Sequence, residues 1–304
     1  MISATTAAMT KTACRTRSLF FMATAAALTI AAATLAASAA RAEDSLPAGG
    51  APKTELAAAP VPTNLPVRRP FCAAPRDLVL FKHALPALTR AAAGGRGIDI
   101  ICLGSSSTAG SGASGPLAAY PVRLDAELDR RFPAKHFRVD NQGAGGQLAR
   151  DMLERIRSHI ASVRRPPALV IWQTGVNDAL QDVGVEAFAA ILERGIHELR
   201  TAGIDVVLVD MQYFPRSERV AVYGDYLRAM RRVAERQKVA LFQRYAIMKH
   251  LVNSGQHTPE QLLAPDNFHL NDLSYGCLAD LMADAIEVQI NAGRLAASRL
   301  QPGR

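Results

Sequence analysis

Residues 98–110 read IDIICLGSSSTAG. The first part, from Ile98 to Leu103, is a short apolar run of the kind that forms a buried β-strand. A turn rich in glycine and serine follows it directly, from Gly104 to Gly110, and such residues separate regular elements. The stretch therefore predicts a buried strand that ends in a polar loop.

The same succession of strand, loop and helix recurs along the chain. Further apolar runs lie at 137–141, 168–173, 206–210 and 239–242, and amphipathic stretches lie at about 117–131, 147–161, 185–202, 219–236 and 274–293. Strands that alternate with single helices are typical of βαβ units. We therefore predict an α/β fold, a three-layer α/β/α sandwich around a five-stranded parallel sheet, with no internal repeat.

The N-terminal region has the features of a targeting segment. Residues 1–42 combine a basic start, an Ala-rich apolar run and an Ala-Arg-Ala site before Glu43, as secretory signal peptides do. An uncleaved membrane anchor is the alternative, because the apolar run is nearly long enough to cross a bilayer. We expect cleavage, and hence a periplasmic or secreted protein with no stable membrane insertion.

Three accessory segments flank the sandwich domain, which we place at residues 97–293. Residues 43–70 are rich in Pro and Ala and are expected to form a linker. Residues 71–96 are expected to hold a lead-in helix, from about Arg76 to Ala92, because apolar residues recur there at helical spacing. Residues 294–304 form a predicted C-terminal tail.

The net charge of +8 does not indicate a nucleic-acid partner. Residues 1–42 hold four basic residues and no acidic one, so half of the surplus belongs to the targeting segment. The remaining Lys and Arg are scattered among Asp and Glu, as on an ordinary solvated surface. Neither a C-x-x-C pair nor an H-E-x-x-H motif occurs in the sequence, so we predict no metal site.

One motif favours a different class of protein. Residues 110–115 read GSGASG, which fits the G-x-G-x-x-G motif of dinucleotide-binding proteins, and Asp140 near the end of the next apolar run could bind a ribose. In that motif the first glycine lies in the tight turn directly after the strand. Here Gly110 lies six residues beyond Gly104. We therefore expect neither a nucleotide nor any other cofactor.

The cysteines fit export with one disulfide at most. Outside the targeting segment the chain has Cys72, Cys102 and Cys277. Cys102 lies inside the first apolar run and is expected to behave as a buried hydrophobic residue. By elimination we expect a disulfide between Cys72 and Cys277, with two unpaired thiols as the alternative.

Loops that follow the predicted strands carry the groups that acyl transfer needs. Right-handed crossovers bring such loops to one edge of a parallel sheet. The loop at 104–110 offers a serine nucleophile, Asn177 offers a hydrogen-bond donor, and Asp266 with His269 offers an acid–base pair. Each residue alone could be an ordinary turn or cap residue, but four of them at one edge favour catalysis.

In these loops the chain resembles the SGNH/GDSL hydrolase family, over roughly residues 97–292. Four blocks carry the resemblance: GSSSTAG at 104–110, NQGAGG at 141–146, GVND at 175–178 and DNFH at 266–269. The resemblance implies a sheet of order 2-1-3-4-5. One position departs from the family pattern, because Ser105 stands where the family usually has Asp, which is expected to brace the turn.

The resemblance also implies roles for individual residues. Ser106 is the expected nucleophile, His269 its general base and Asp266 the group that orients the histidine. The backbone N–H groups of Ser106 and Gly146 and the side-chain amide of Asn177 are expected to form the oxyanion hole.

The expected reaction is hydrolysis of a carboxylic ester, on a small molecule or a glycan. Since no long apolar lid is visible in the sequence, we expect a short acyl group. Two alternatives stay open at this point: an O-acyltransferase that acts on envelope glycans, and a catalytically inactive relative that binds glycans. Tyr213, which follows the fourth predicted strand, is a candidate substrate contact.

Overall fold

A five-stranded parallel sheet lies at the centre of the protein. The structure is a computed structural model that describes residues 72–95 and 97–299. The strands are β1 (Ile98–Gly104), β2 (Phe137–Gly143), β3 (Leu169–Gln173), β4 (Asp205–Val209) and β5 (Ala240–Phe242). Their order across the sheet is β2-β1-β3-β4-β5, which confirms the predicted fold class and strand order. The predicted signal peptide (1–42) and linker (43–70) lie outside the described residues.

Helices cover both faces of the sheet. They are α1 (Arg76–Val79), α2 (Pro86–Ala93), α3 (Ser106–Ala109), α4 (Tyr120–Arg131), α5 (Ala149–Arg155), α6 (Val176–Leu180), α7 (Val185–Thr201), α8 (Tyr223–Gln237), α9 (Arg244–Asn253), α10 (Pro259–Leu262) and α11 (Asp272–Arg299). Helices α2, α4 and α11 pack together on one face, and α5, α7 and α8 pack together on the other. Every residue of β3 is buried, as expected for a strand covered on both sides.

The sheet and helices pack closely where small residues allow it. In α7, Phe188, Leu192 and Ile196 recur every fourth residue and are fully buried, so they form the apolar stripe that faces the sheet. Gly195 lies on the same helix against the indole of Trp172, and a Cβ there would collide with the ring. The largest side chain of β3 therefore fits under α7 only because residue 195 has no side chain.

The segment before the sheet differs from the prediction. Instead of one lead-in helix from Arg76 to Ala92, the chain forms two short helices, α1 and α2, with Leu80–Leu85 between them. Pro86 is the first residue of α2, and a proline disfavours helical geometry in the residue before it. Leu85 is buried in the core without being helical.

Other element bounds also differ from the predictions. The stretch 147–161 divides into α5 and a π turn over Ile156–Ile160. Helix α11 runs to Arg299, so the predicted tail at 294–304 is in part helical. Helices α9 and α10 and the 3₁₀ helices Pro116–Ala118 and Pro215–Arg219 were not predicted.

A disulfide joins Cys72 to Cys277, which confirms the expected pairing. It links the segment before the sheet to α11. Cys102 is free and fully buried in β1, and burial raises the pKa of its thiol to about 12. Cys102 therefore behaves as a hydrophobic residue rather than as a nucleophile.

The predicted targeting segment, residues 1–42, is not among the residues that the structure describes. Among residues 72–95 and 97–299, no helix combines the length and the apolar character that crossing a bilayer would need.

Candidate active site

Ser106 lies at the carboxyl end of β1, as the first residue of the one-turn helix α3. The turn is tight enough to require glycine before it, because a Cβ on Gly104 would collide with the side chain of Thr108. Gly110 ends the helix with a φ of 98°, a conformation that favours glycine. Ser106 thus lies in a single helical turn between the end of β1 and Gly110.

A buried glutamine braces this turn. The Gln173 Oε1 atom, at the end of β3, accepts hydrogen bonds from the Ser105 N–H at 3.2 Å, the Ser105 hydroxyl at 3.3 Å and the Thr108 hydroxyl at 3.0 Å. Gln173 is fully buried, where a satisfied hydrogen bond holds a loop firmly. The turn around Ser106 is therefore anchored to β3 even though Ser105 replaces the aspartate of the family pattern.

His269 and Asp266 lie on one self-braced turn before α11. Asp266 Oδ1 accepts hydrogen bonds from the backbone N–H groups of Phe268 at 3.0 Å and His269 at 2.9 Å. Its other oxygen, Oδ2, lies 2.6 Å from His269 Nδ1. Asn267 between them has a φ of 54°, which asparagine tolerates better than most residues.

The ionisation of Asp266 fits this arrangement. Partial burial opposes the charged form, but hydrogen bonds from the His269 side chain and from the N–H groups of His269 and Phe268 outweigh it, so the pKa of Asp266 lies below its usual value. The carboxylate is charged at neutral pH and faces the imidazole.

The structure brings Ser106 into the same hydrogen-bonded chain. His269 Nε2 lies 2.9 Å from Ser106 Oγ, so serine, imidazole and carboxylate follow one another at hydrogen-bonding distance. The serine and histidine are 163 residues apart in the sequence. Such a chain can transfer a proton from the hydroxyl to the imidazole.

The loop after β2 lies directly against the Ser106 turn. The Ala144 N–H donates to the Gly104 carbonyl at 2.9 Å, and a Cβ on Gly143 would collide with the backbone of Ala109. Gly146 in this loop has a φ of 77° and open space around its Cβ position. Glycine is therefore favoured at residue 146 by its backbone conformation rather than by crowding.

The loop after β3 is joined to the loop after β2. The Asn177 amide donates one hydrogen bond to the Gln147 carbonyl at 2.8 Å. The buried Asp178 carboxylate accepts from the Ala149 N–H at 3.1 and 3.2 Å, which caps the start of α5. Burial raises the pKa of Asp178 in spite of its backbone hydrogen bonds. Asp178 therefore fixes the two loops to each other.

Three candidate donors surround this edge of the sheet. Within the described residues, no protein acceptor takes the backbone N–H of Ser106 or of Gly146. An amide nitrogen carries two hydrogens, and Asn177 uses one of them on Gln147. All three groups follow the ends of strands β1, β2 and β3, and each keeps a hydrogen without a protein acceptor among the described residues.

The Tyr213 ring packs on another tyrosine. Its ring meets that of Tyr245 edge-on, with centroids 5.6 Å apart. The neighbouring Phe214 instead packs on Phe268 at 5.0 Å, and Phe268 packs on the His269 ring at 4.8 Å. Phe214 is thus the aromatic residue of this loop that supports the histidine turn, and the sequence reasoning missed it.

Residues suited to holding a metal ion do not cluster in the part of the chain that the structure describes. No group of three or more His, Cys, Asp or Glu side chains is arranged for one there.

Comparison with known proteins places the chain in a family. A model of the Non-GDSL lipase-like family matches residues 71–292. The chain belongs to that family. The predicted enzyme class, a hydrolase of ester bonds, is thereby confirmed at the level of the family, as is the predicted relationship to SGNH/GDSL hydrolases. No curated protein matches the chain in sequence.

Solved structures share the fold at low sequence identity. A two-domain esterase active on acetylated mannans is 23% identical, with a TM-score of 0.57, over 69% of this chain and 54% of that one. An α/β hydrolase from the metagenome of Lake Arreo, Spain, is 25% identical, with a TM-score of 0.54, over 64% of this chain and 98% of its own. An acetyl xylan esterase from Geobacillus stearothermophilus is 19% identical, with a TM-score of 0.54, over 63% of this chain and 95% of that one. This chain spans about half the length of the two-domain esterase.

Proposed function

We propose that this protein is an exported serine esterase in which Ser106, His269 and Asp266 are the catalytic triad. The observation that carries the proposal is the hydrogen-bonded chain of the three side chains, with 2.9 Å from Ser106 Oγ to His269 Nε2 and 2.6 Å from His269 Nδ1 to Asp266 Oδ2. A serine hydroxyl is a poor nucleophile unless an adjacent base takes its proton. His269 lies at the right distance to be that base.

The chemistry follows from this arrangement. His269 Nε2 takes the hydroxyl proton while Ser106 Oγ attacks the ester carbonyl, and Asp266 stabilises the imidazolium that forms. Collapse of the tetrahedral intermediate breaks the bond to the alcohol, which leaves with the proton from His269. Water then attacks the acyl-enzyme by the same route, which releases the acid and restores Ser106.

Charge on the tetrahedral intermediate needs donors at the same sheet edge. We assign this role to the backbone N–H groups of Ser106 and Gly146 and to the second amide hydrogen of Asn177. The links between the loops support this assignment. Ala144 holds the loop after β2 to the Ser106 turn, and Asn177 holds the loop after β3 to the loop after β2. Donors fixed before the reaction need no reorganisation when the charge develops.

The proposed substrate is a short O-acyl ester, such as an acetyl group on a glycan. One structural neighbour is an esterase active on acetylated mannans, and another is an acetyl xylan esterase. The helices that border the site from the loops, α3, α6 and α10, have four or five residues each. Such short helices offer little apolar surface to cover a long acyl chain.

Hydrolysis of p-nitrophenyl esters of increasing chain length tests the substrate class. We expect the highest kcat/KM for acetate, and acetate release from acetylated xylan or mannan. Faster turnover of octanoate than of acetate would rule out the short-chain proposal, and an acetylated product that requires an added sugar acceptor would identify an acyltransferase instead.

Tyr213 remains a proposed substrate contact at the edge of the site. Its ring and that of Tyr245 form a half-buried aromatic pair, a type of surface on which a sugar ring can pack. Tyr213→Ala should raise the KM for acetylated oligosaccharides and leave the KM for p-nitrophenyl acetate within about twofold, while Tyr213→Phe should keep both. Equal kinetics of all three proteins on oligosaccharides would remove Tyr213 from the site.

Export is the second part of the proposal. Disulfides persist in oxidising compartments outside the cytoplasm, and the Cys72–Cys277 bond supports passage of the chain into one. Intact mass of the protein from the periplasm or medium should correspond to a chain that begins at Glu43. A full-length mass in the membrane fraction would favour the uncleaved anchor.

A further inference from the structure

A buried arginine lies beneath the proposed active site. Arg244 begins α9, and only 2% of its surface is exposed. Its Nε donates to the Asp210 carbonyl at 2.9 Å, and its Nη2 donates to Gln212 Oε1 at 3.0 Å. Burial lowers the pKa of Arg244, and Tyr223 and Asp210 oppose that change. A buried charge of this kind is expensive for a protein to keep, so a purely structural purpose is a weak explanation for it.

Arg244 determines which way the Gln212 amide points. A guanidinium has donors only, so it can meet only the oxygen of the amide. Gln212 is itself buried, with 1% of its surface exposed, and its backbone carbonyl accepts from the Tyr223 hydroxyl at 2.7 Å. With Oε1 held by Arg244, the Nε2 donor must face the opposite side.

The two ends of this amide face the two halves of the triad. The Ser107 hydroxyl lies 3.5 Å from Gln212 Oε1, and Gln212 Nε2 lies 3.5 Å from the Phe268 carbonyl. Ser107 follows the proposed nucleophile and Phe268 precedes the proposed base. Both contacts are long for single hydrogen bonds, but the amide spans the gap between the Ser106 turn and the His269 turn.

We propose that Gln212, oriented by Arg244, is a positioning residue that sets the distance between Ser106 Oγ and His269 Nε2. The inference rests on the proposed function, since it assigns a purpose to the spacing of that triad. The Asp266–His269 turn has its own internal hydrogen bonds, which fix its shape but not its place relative to β1. Gln212 supplies a link from the end of β4 to both turns.

Two substitutions at Gln212 separate positioning from folding. Gln212→Met removes all three side-chain contacts, those with Arg244, Ser107 and the Phe268 carbonyl, and keeps the length of the side chain. Gln212→Glu keeps an acceptor for Arg244 and Ser107, and an ion pair between the new glutamate and Arg244 should preserve the fold. The glutamate has no donor for the Phe268 carbonyl. A misplacement of about 1 Å in a catalytic group can cost on the order of a hundredfold in rate.

A matched control exists elsewhere in the chain. Gln289 on α11 also bridges two backbone groups, accepting from the Leu85 N–H at 3.3 Å and donating to the Phe81 carbonyl at 3.4 Å. Gln289→Met therefore makes the same chemical change away from the triad. Its kcat should stay within about twofold of wild type, whatever its effect on Tm.

The experiment measures kcat and KM for p-nitrophenyl acetate, the rate of labelling by a fluorophosphonate, and Tm. Both Gln212 variants should lose about ten- to a hundredfold in kcat and in labelling rate, with KM within about threefold. A folded Gln212→Glu with wild-type kcat would overturn the positioning role, since that variant lacks the donor to Phe268. If the wild-type protein takes no label, the proposed function and the positioning role are both overturned. If the wild type and both variants are labelled at equal rates, only the positioning role is overturned.

Discussion

Replacing Asp266 with asparagine isolates the electrostatic part of the triad from its geometry. In the folded protein, one carboxylate oxygen accepts two backbone N–H groups, those of Phe268 and His269, while the other faces His269 Nδ1. Asparagine has one acceptor oxygen. The two N–H groups need that acceptor, so the amide oxygen should replace Oδ1 and the NH₂ group should face the imidazole.

The consequence for His269 is the wrong tautomer. An NH₂ group opposite Nδ1 requires that nitrogen to be an acceptor, which places the imidazole proton on Nε2. That nitrogen lies 2.9 Å from Ser106 Oγ and can then no longer accept the hydroxyl proton. The same change in the triad of a serine protease lowers kcat by about 10⁴, equivalent to about 5 kcal/mol of transition-state stabilisation. We expect a loss of kcat of about 10³- to 10⁴-fold in Asp266→Asn.

The assay is steady-state hydrolysis of p-nitrophenyl acetate, with Tm measured on the same samples. Asp205→Asn is the matched control, because Asp205 also accepts a backbone N–H, that of Leu88 at 2.9 Å, but lies at the start of β4, away from the triad. Asp266→Asn should melt close to wild type, and Asp205→Asn should keep wild-type kcat. A kcat within tenfold of wild type in folded Asp266→Asn would show that the Asp266 carboxylate does not set the tautomer of His269.

Three further predictions concern the oxyanion donors, a buried acid and the disulfide. Asn177→Ala should lower kcat by about 10²- to 10³-fold with little change in KM, and a kcat within threefold of wild type would remove Asn177 from the oxyanion hole. Burial raises the pKa of Asp210 to about 7, so between about pH 4 and 7 the folded state holds a proton that the unfolded state has lost. The free energy of unfolding of the wild type should therefore fall with rising pH in that range, by up to about 1.4 kcal/mol per pH unit relative to Asp210→Asn. It should level off above about pH 7. A constant difference between the two proteins across that range would contradict the raised pKa. Reduction of the Cys72–Cys277 bond, which joins residues 205 apart, should cost about 2–5 kcal/mol of unfolding free energy, and an unchanged Tm after reduction would show that the bond contributes no stability.

Most of the fold was predictable because each strand is a local pattern. The run from Ile98 to Leu103 is apolar except for Asp99 and ends at glycine and serine, and the structure places β1 and its loop there. The failures occur where a local pattern misleads. Apolar residues keep helical spacing through Phe81 and Leu85, but Pro86 prevents a continuous helix. Helix α9 was missed because its polar and apolar residues do not separate into two clear faces.

The site was predictable only where its residues stand in short motifs. Ser106, Asn177 and His269 each belong to a block that can be recognised in the sequence, and the structure brings Ser106 and His269 together. Gln173 and Gln212 belong to no such motif, and the partners of their side chains lie 32 to 105 residues away in the chain. The one available signal was position, since both are polar residues at or just after the end of an apolar strand.

The proposed mechanism requires Ser106 to be an activated nucleophile. Intact-mass spectrometry of the mature protein after treatment with a fluorophosphonate tests it most directly, with Ser106→Ala treated in parallel. We expect a single adduct on the wild-type protein and none on the variant. A folded wild-type protein without an adduct, or an adduct that persists in Ser106→Ala, would contradict it.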